Sequence, residues 1–98
     1  MTLEEISGKI KKLSEKHAGK FGATANFKFD EGVVHLDDTV SPPLVVNEER
    51  EAPFAIKMTA ADFGKVLTGD LNPMMAMMSG KLKIEGSKAA ALKLTSLF

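Results

Sequence analysis

Along the first seventeen positions, apolar residues recur at spacings of three and four. Leu3, Ile6, Ile10, Leu13 and His17 fall on one stripe, and Lys9, Lys11, Lys12, Glu15 and Lys16 occupy the rest of the cylinder. This period predicts an amphipathic helix. Thr2 followed three residues later by Glu5 predicts a capping box at its start, and Gly19 a stop. The period then drops to two. Phe27 and Phe29 alternate with Asn26, Lys28 and Asp30, Glu31-Gly32 makes a turn, and Val33 to Leu36 forms the second arm of a hairpin. Pro42-Pro43 cannot donate to a ladder and places the next stretch at an edge. Leu44 to Val46 is a further short strand, followed by a polar loop over Asn47 to Glu51.

The second half carries clearer punctuation. Phe54, Ile56 and Met58 alternate with Ala55, Lys57 and Thr59, a fourth strand. Thr59 can cap a helix whose buried stripe is Phe63, Val66 and Leu67, with Gly69 ending it. Asn72-Pro73 opens a short helix over Met74 to Ser79, closed by Gly80. Lys81 to Glu85 alternates as a strand, with Leu82 and Ile84 inward. Gly86-Ser87 then leads into a last helix from Lys88 to about Leu97, with Ala89, Leu92 and Leu97 inward. Strands grouped first and helices inserted later predict an α+β fold, with helices covering one face of a largely antiparallel sheet.

At 98 residues the chain makes a single domain over 1–98. Thirteen Lys and Arg balance thirteen Asp and Glu, so the basic surplus that binding to nucleic acid or an anionic lipid surface would use is absent. The absence of Cys excludes disulfides, thiolate metal sites and a cysteine nucleophile. No apolar run is long enough to span a bilayer. The acids at Glu4 and Glu5 do not suit a signal peptide, so a cytoplasmic protein without a stable membrane anchor is expected.

Candidate chemistry is thin. His17 lies on an apolar stripe near a helix end, and His35 lies two residues before Asp37 with no nucleophile or metal set beside it. Asp37-Asp38 reads as a solvated turn, because neighbouring strand residues point to opposite faces. The reading is of a non-enzyme, without metal or cofactor. The informative feature is Met74, Met75, Met77 and Met78, which make a two-turn helix apolar around most of its circumference. Either the helix is buried on all sides, or part of it faces a cavity. Met fills ordinary core gaps and also suits surfaces that accommodate ligands of varied shape.

From Pro53 to Leu97 the order of elements resembles the sterol carrier protein 2 family of lipid-binding domains. The elements are a strand, the Asp62-Phe63 helix, the Leu67-Thr68-Gly69 stop, the Asn72-Pro73 helix, then Gly80 to Gly86 and Leu92-Lys93-Leu94. The first half matches in layout. The resemblance implies a five-stranded, mostly antiparallel sheet with helices on one face enclosing a hydrophobic tunnel for sterol, fatty acid, fatty acyl-CoA or isoprenoid. Met58, Phe63, Leu67, Met74, Met77, Met78, Leu82, Ile84, Leu92 and Leu97 are the side chains expected to line it. Met77 stands where many members carry an aromatic residue, which implies a more pliable pocket. Ser96-Leu97-Phe98 is not the peroxisomal signal of animal members, which implies a cytoplasmic protein of bacterial or archaeal type. The function implied is non-enzymatic binding and intracellular transfer or presentation of a hydrophobic lipid, by a monomer or weak homodimer. The alternative is an accessory or scaffold protein that binds an enzyme of lipid or isoprenoid-quinone metabolism.

Overall fold

The structure, a computed structural model, describes residues 1–94. Helix α1 (Leu3–Lys16) starts at the capping box: the Thr2 hydroxyl accepts the Glu5 N–H, and the Glu5 carboxylate accepts the Thr2 N–H. It ends at His17, two residues before the expected Gly19, which takes a left-handed conformation in the turn that follows. The strands are β1 (Thr24–Phe29), β2 (Gly32–Asp37), β3 (Leu44–Val46), β4 (Phe54–Lys57) and β5 (Lys83–Gly86). Between β4 and β5 lie α2 (Ala60–Thr68) and α3 (Pro73–Met78), and α4 (Lys88–Leu92) follows β5.

The five strands form one sheet in the order β3-β2-β1-β4-β5. Three pairings are antiparallel and β1–β4 is parallel. The parallel pair arises because residues 47–53 carry the chain from the β3 edge back across the sheet. They do so on the helix-free face, where the Arg50 carbonyl accepts from the Asn26 side chain.

Strand parity decides which side chains are covered. Ala25, Phe27, Val34, Leu36, Phe54 and Ile56 point to the helices and are buried, whereas Lys57, Lys83 and Glu85 are exposed. Leu82 is buried and Ile84 half-buried, with Lys81 exposed, as the alternation predicts. Ile6 and Ile10 of α1 seat on the β2–β3 side of this face. Phe63 of α2 packs on Phe29 and Phe27, with ring centroids 5.1 and 6.2 Å away. Two sequence expectations change. Asp38 is buried, its carboxylate accepting the N–H groups of Gly19 and Gly22 at 3.0 and 2.7 Å, so it fastens the α1–β1 turn. Ala89 is exposed, and Ala91 and Leu94 turn inward instead. Leu97 lies outside the described residues.

Candidate functional site

Between the sheet and the three later helices lies a cavity of about 420 Å³. Its floor is the inward row of the sheet: Phe27 of β1, Ile56 and Met58 on and just beyond β4, and Leu82 and Ile84 at β5. One wall is α2, which presents Phe63 and Val66, continued by Gly69, Leu71 and Asn72. Pro73, Met74 and Met77 of α3 form the second wall, and Ala91, Leu92 and Leu94 close the third.

Local sequence fixes each wall. The Thr59 hydroxyl accepts the Asp62 N–H at the α2 N-terminus, where the Asp30 carboxylate also accepts the Ala60 N–H at 2.8 Å. Gly69, at φ +83°, ends α2 in the left-handed conformation that a side chain would resist. Asn72 caps α3 with its Oδ1, which accepts from Met74 and Met75, and Pro73 sits at the first turn. Ala76 is fully buried, and its carbonyl accepts the N–H groups of both Lys81 and Leu82. A residue as small as Ala at that point lets α3 approach the fold closely.

The phase set by Ala76 sorts the four Met. Met74 and Met77, three residues apart, border the cavity, whereas Met75 and Met78 are not among its lining side chains and are 61% and 81% exposed. Met78, expected at the cavity, therefore faces solvent. Leu67 also falls away from it: one residue beyond Val66, it is half-buried against the core. Met58, Phe63, Met74, Met77, Leu82, Ile84 and Leu92 are brought together around the cavity. Leu92 is 56% exposed and stands at its rim. Phe27, Ile56, Val66, Leu71 and Leu94 border it as well, although periodicity marks the strand residues only as core. Leu71 carried a legible signal, since it is apolar, falls outside both flanking helices and sits between Asp70 and Asn72.

Among the described residues the lining carries no charge. Asn72 is its one polar side chain among the described residues, and its oxygen is engaged at the α3 cap. The titratable groups lie elsewhere. His35 is on the helix-free face, its Nδ1 2.7 Å from the Asn26 Oδ1. Because the Asn26 amide nitrogen donates to the Arg50 carbonyl, its oxygen faces His35, which assigns the imidazole proton to Nδ1. Burial, then the Arg50 charge, holds this imidazole below its usual pKa. Asp37 is lowered by the hydroxyl and N–H of Thr39, both of which donate to it. Among the described residues no group of three His, Cys, Asp or Glu is placed to hold a metal ion, and no helix is long and apolar enough to cross a membrane.

The arrangement can therefore hold an apolar molecule, and among the described residues its lining offers no acid, base or nucleophile. Comparison with known proteins agrees with the fold. The model of the SCP-2 sterol transfer family matches residues 3–98. Human sterol carrier protein 2 is 31% identical over 99% of this chain, which spans about a fifth of that relative's length (19%). The solution structure of sterol carrier protein domain 2 of Helicoverpa armigera superposes with a TM-score of 0.72 at 23% identity, covering 91% of this chain and 82% of that one. The ubiquinone synthesis protein UbiJ-SCP2 superposes with a TM-score of 0.67 at 14% identity, covering 97% and 89%. On the match of nearly its whole length to the family model, the chain belongs to the SCP-2 sterol transfer family.

Proposed function

We propose that this protein binds one hydrophobic lipid in the cavity, without altering it chemically, and transfers or presents it inside the cell. The observation that carries the reading is the cavity of about 420 Å³, uncharged among the described residues and bordered by Phe27, Met58, Phe63, Met74, Met77 and Leu82. A fatty acid, fatty acyl-CoA, sterol or isoprenoid offers the matching surface. Burying about fifteen methylenes gains about 12 kcal/mol at ~0.8 kcal/mol each. An association cost of about 4 kcal/mol leaves about 8, which is micromolar affinity. Selectivity along the chain is low, because one methylene more or less changes little.

The test is mass spectrometry of lipid released from protein purified under native conditions. One lipid class at near-stoichiometric amount supports the reading. Protein that is empty as purified and takes up no fatty acid, sterol or polyprenyl probe overturns it.

A second reading is an accessory protein that holds an enzyme of lipid or isoprenoid-quinone metabolism. Met75 and Met78 favour it, being large apolar side chains exposed away from the cavity, and so does the likeness to a ubiquinone synthesis protein. Recovery of empty protein in stoichiometric complex with such an enzyme would move the balance to it.

A further inference from the structure

Four of the six residues of α3 are Met, and the helix puts them in three settings. Met77 is half-buried at the cavity, and Met75 and Met78 are exposed away from it. Met74 combines both situations: it is 54% exposed and it borders the cavity. Oxidation turns a flexible apolar thioether into a polar, chiral sulfoxide, and an exposed sulfur is within reach of a dissolved oxidant.

We propose that Met74 is an oxidation-sensitive element of the cavity wall, through which a hydroperoxide weakens the binding of apolar ligand. This rests on the lipid-binding reading above. In the step itself, the peroxide O–O bond breaks and one oxygen bonds to the Met74 sulfur. The thioether loses two electrons and becomes a sulfoxide, and the hydroperoxide is reduced to an alcohol, or to water when it is hydrogen peroxide. Among the described residues the one side-chain donor the wall offers the new S=O acceptor is the Asn72 amide, and a sulfoxide that turns to it turns away from the ligand. Facing a hydrocarbon chain it is unpaired; turned to water it withdraws the side chain from the wall. Either way the ligand loses contact. The same change at Met75 or Met78 alters solvated surface only, so the helix contains its own controls. The anchoring of α3 through Ala76 does not pass through Met74, and the fold is expected to survive.

The experiment treats the intact protein with limiting hydrogen peroxide, maps sulfoxides by peptide mass spectrometry and measures affinity for a fluorescent fatty acid. Met74, Met75 and Met78 are expected to oxidise ahead of Met58, which is 7% exposed. Wild-type affinity should fall about tenfold, equivalent to about 1.4 kcal/mol. Methionine sulfoxide reductases A and B together should restore it. Each variant is compared with its own untreated form. Met74→Leu should stay within about twofold of its own value, while Met75→Leu and Met78→Leu should fall as the wild type does. If Met74→Leu loses as much as the wild type, or if wild type oxidised at Met74 binds unchanged, the inference is wrong. Untreated protein that binds no probe overturns the lipid-binding reading, and this inference with it.

Discussion

Under α1, the sheet is sealed: Ile6, Ala25, Val34 and Leu36 are fully buried, and Ile10 nearly so. Under α2, α3 and α4, the same face of the same sheet leaves a cavity bordered by Met, Leu and Phe side chains. The difference begins in helix length. The fourteen residues of α1 lay one continuous apolar stripe along β2 and β3, and close packing follows when ridges run unbroken. The six residues of α3 and five of α4 end before their side chains can tile the sheet. The space between them is filled by chains that bend, such as Met, or left open. A short helix is held by its cap and one small contact residue, here Asn72 and Ala76, rather than by a stripe. One half of the domain stores stability, and the other is free to hold something else.

The largest effect should come from the sealed half. Ile6→Ala leaves a void among fully buried neighbours and is expected to lower stability by about 2–5 kcal/mol, read as a denaturant midpoint. Affinity of the surviving folded protein for a fluorescent fatty acid should hardly change. A large loss of affinity there would erase the distinction between the halves.

Gly86→Ala comes next, and it strikes the edge of the open half. Gly86 has φ +91°, and a Cβ there would meet the Pro53 carbonyl oxygen at 2.6 Å and the Phe54 Cα at 3.1 Å. Backbone strain and a clash with rigid neighbours together should destabilise by about 2–4 kcal/mol. Because β5 supplies Ile84 to the floor, ligand affinity should fall with it. If stability drops while affinity stays constant, the β4–β5 edge is not part of the site.

Truncating the cavity wall should affect stability least and affinity most. Met74→Ala and Met77→Ala enlarge a space that already exists, so each is expected to cost less than about 1 kcal/mol of stability. Each should change the affinity for long-chain fatty acid about fivefold. Met75→Ala and Met78→Ala should do neither. A loss of several kcal/mol at Met74 or Met77 would make α3 plain core.

How much of this contrast was legible follows from its physics. Helix α1 and the strands that alternate are written in local periodicity: the three-and-four spacing of Leu3 to Leu13, and the alternation of Leu82 and Ile84 with Lys81 and Lys83. Those patterns act within one element, so sequence shows them. Asp38 was misread because its partners, Gly19 and Gly22, lie in a turn before β1, and only folding brings their N–H groups to it. Met78 was misread for a related reason. Four Met give no stripe, so the rotation of α3 rests on Ala76, whose smallness marked the contact side. Phe27 and Ile56 read as core because alternation reports which face a residue is on, never whether that face meets a helix or a void.

The smallest predicted effect is a pH dependence of the sealed half, carried by His35 on the reverse side of β2. Its imidazole is held below the ordinary pKa of 6.5, first by burial and then by the Arg50 charge, with Asp37 and Glu48 opposing. The native state therefore binds fewer protons than the unfolded chain in the interval between the lowered pKa and 6.5. Stability from this group is complete above about pH 6.5 and is lost as pH falls through the lowered value. Protonation adds a second charged donor to a face already roofed by residues 47–53, while Nδ1 keeps its bond to Asn26. The lowered carboxylates Glu5, Asp37 and Glu85 release their contributions only below their ordinary values of 4.5, 3.8 and 4.5. A titration between pH 7.5 and 5.5 stays clear of them. Across that range the denaturant midpoint should fall in the wild type and fall less in His35→Gln, which keeps a donor for the Asn26 oxygen. Fatty-acid affinity should be level over the same range, since no titratable side chain borders the cavity among the described residues. An affinity that follows the midpoint would mean that the two halves share one cooperative unit, and that the cavity half has no independence to exploit.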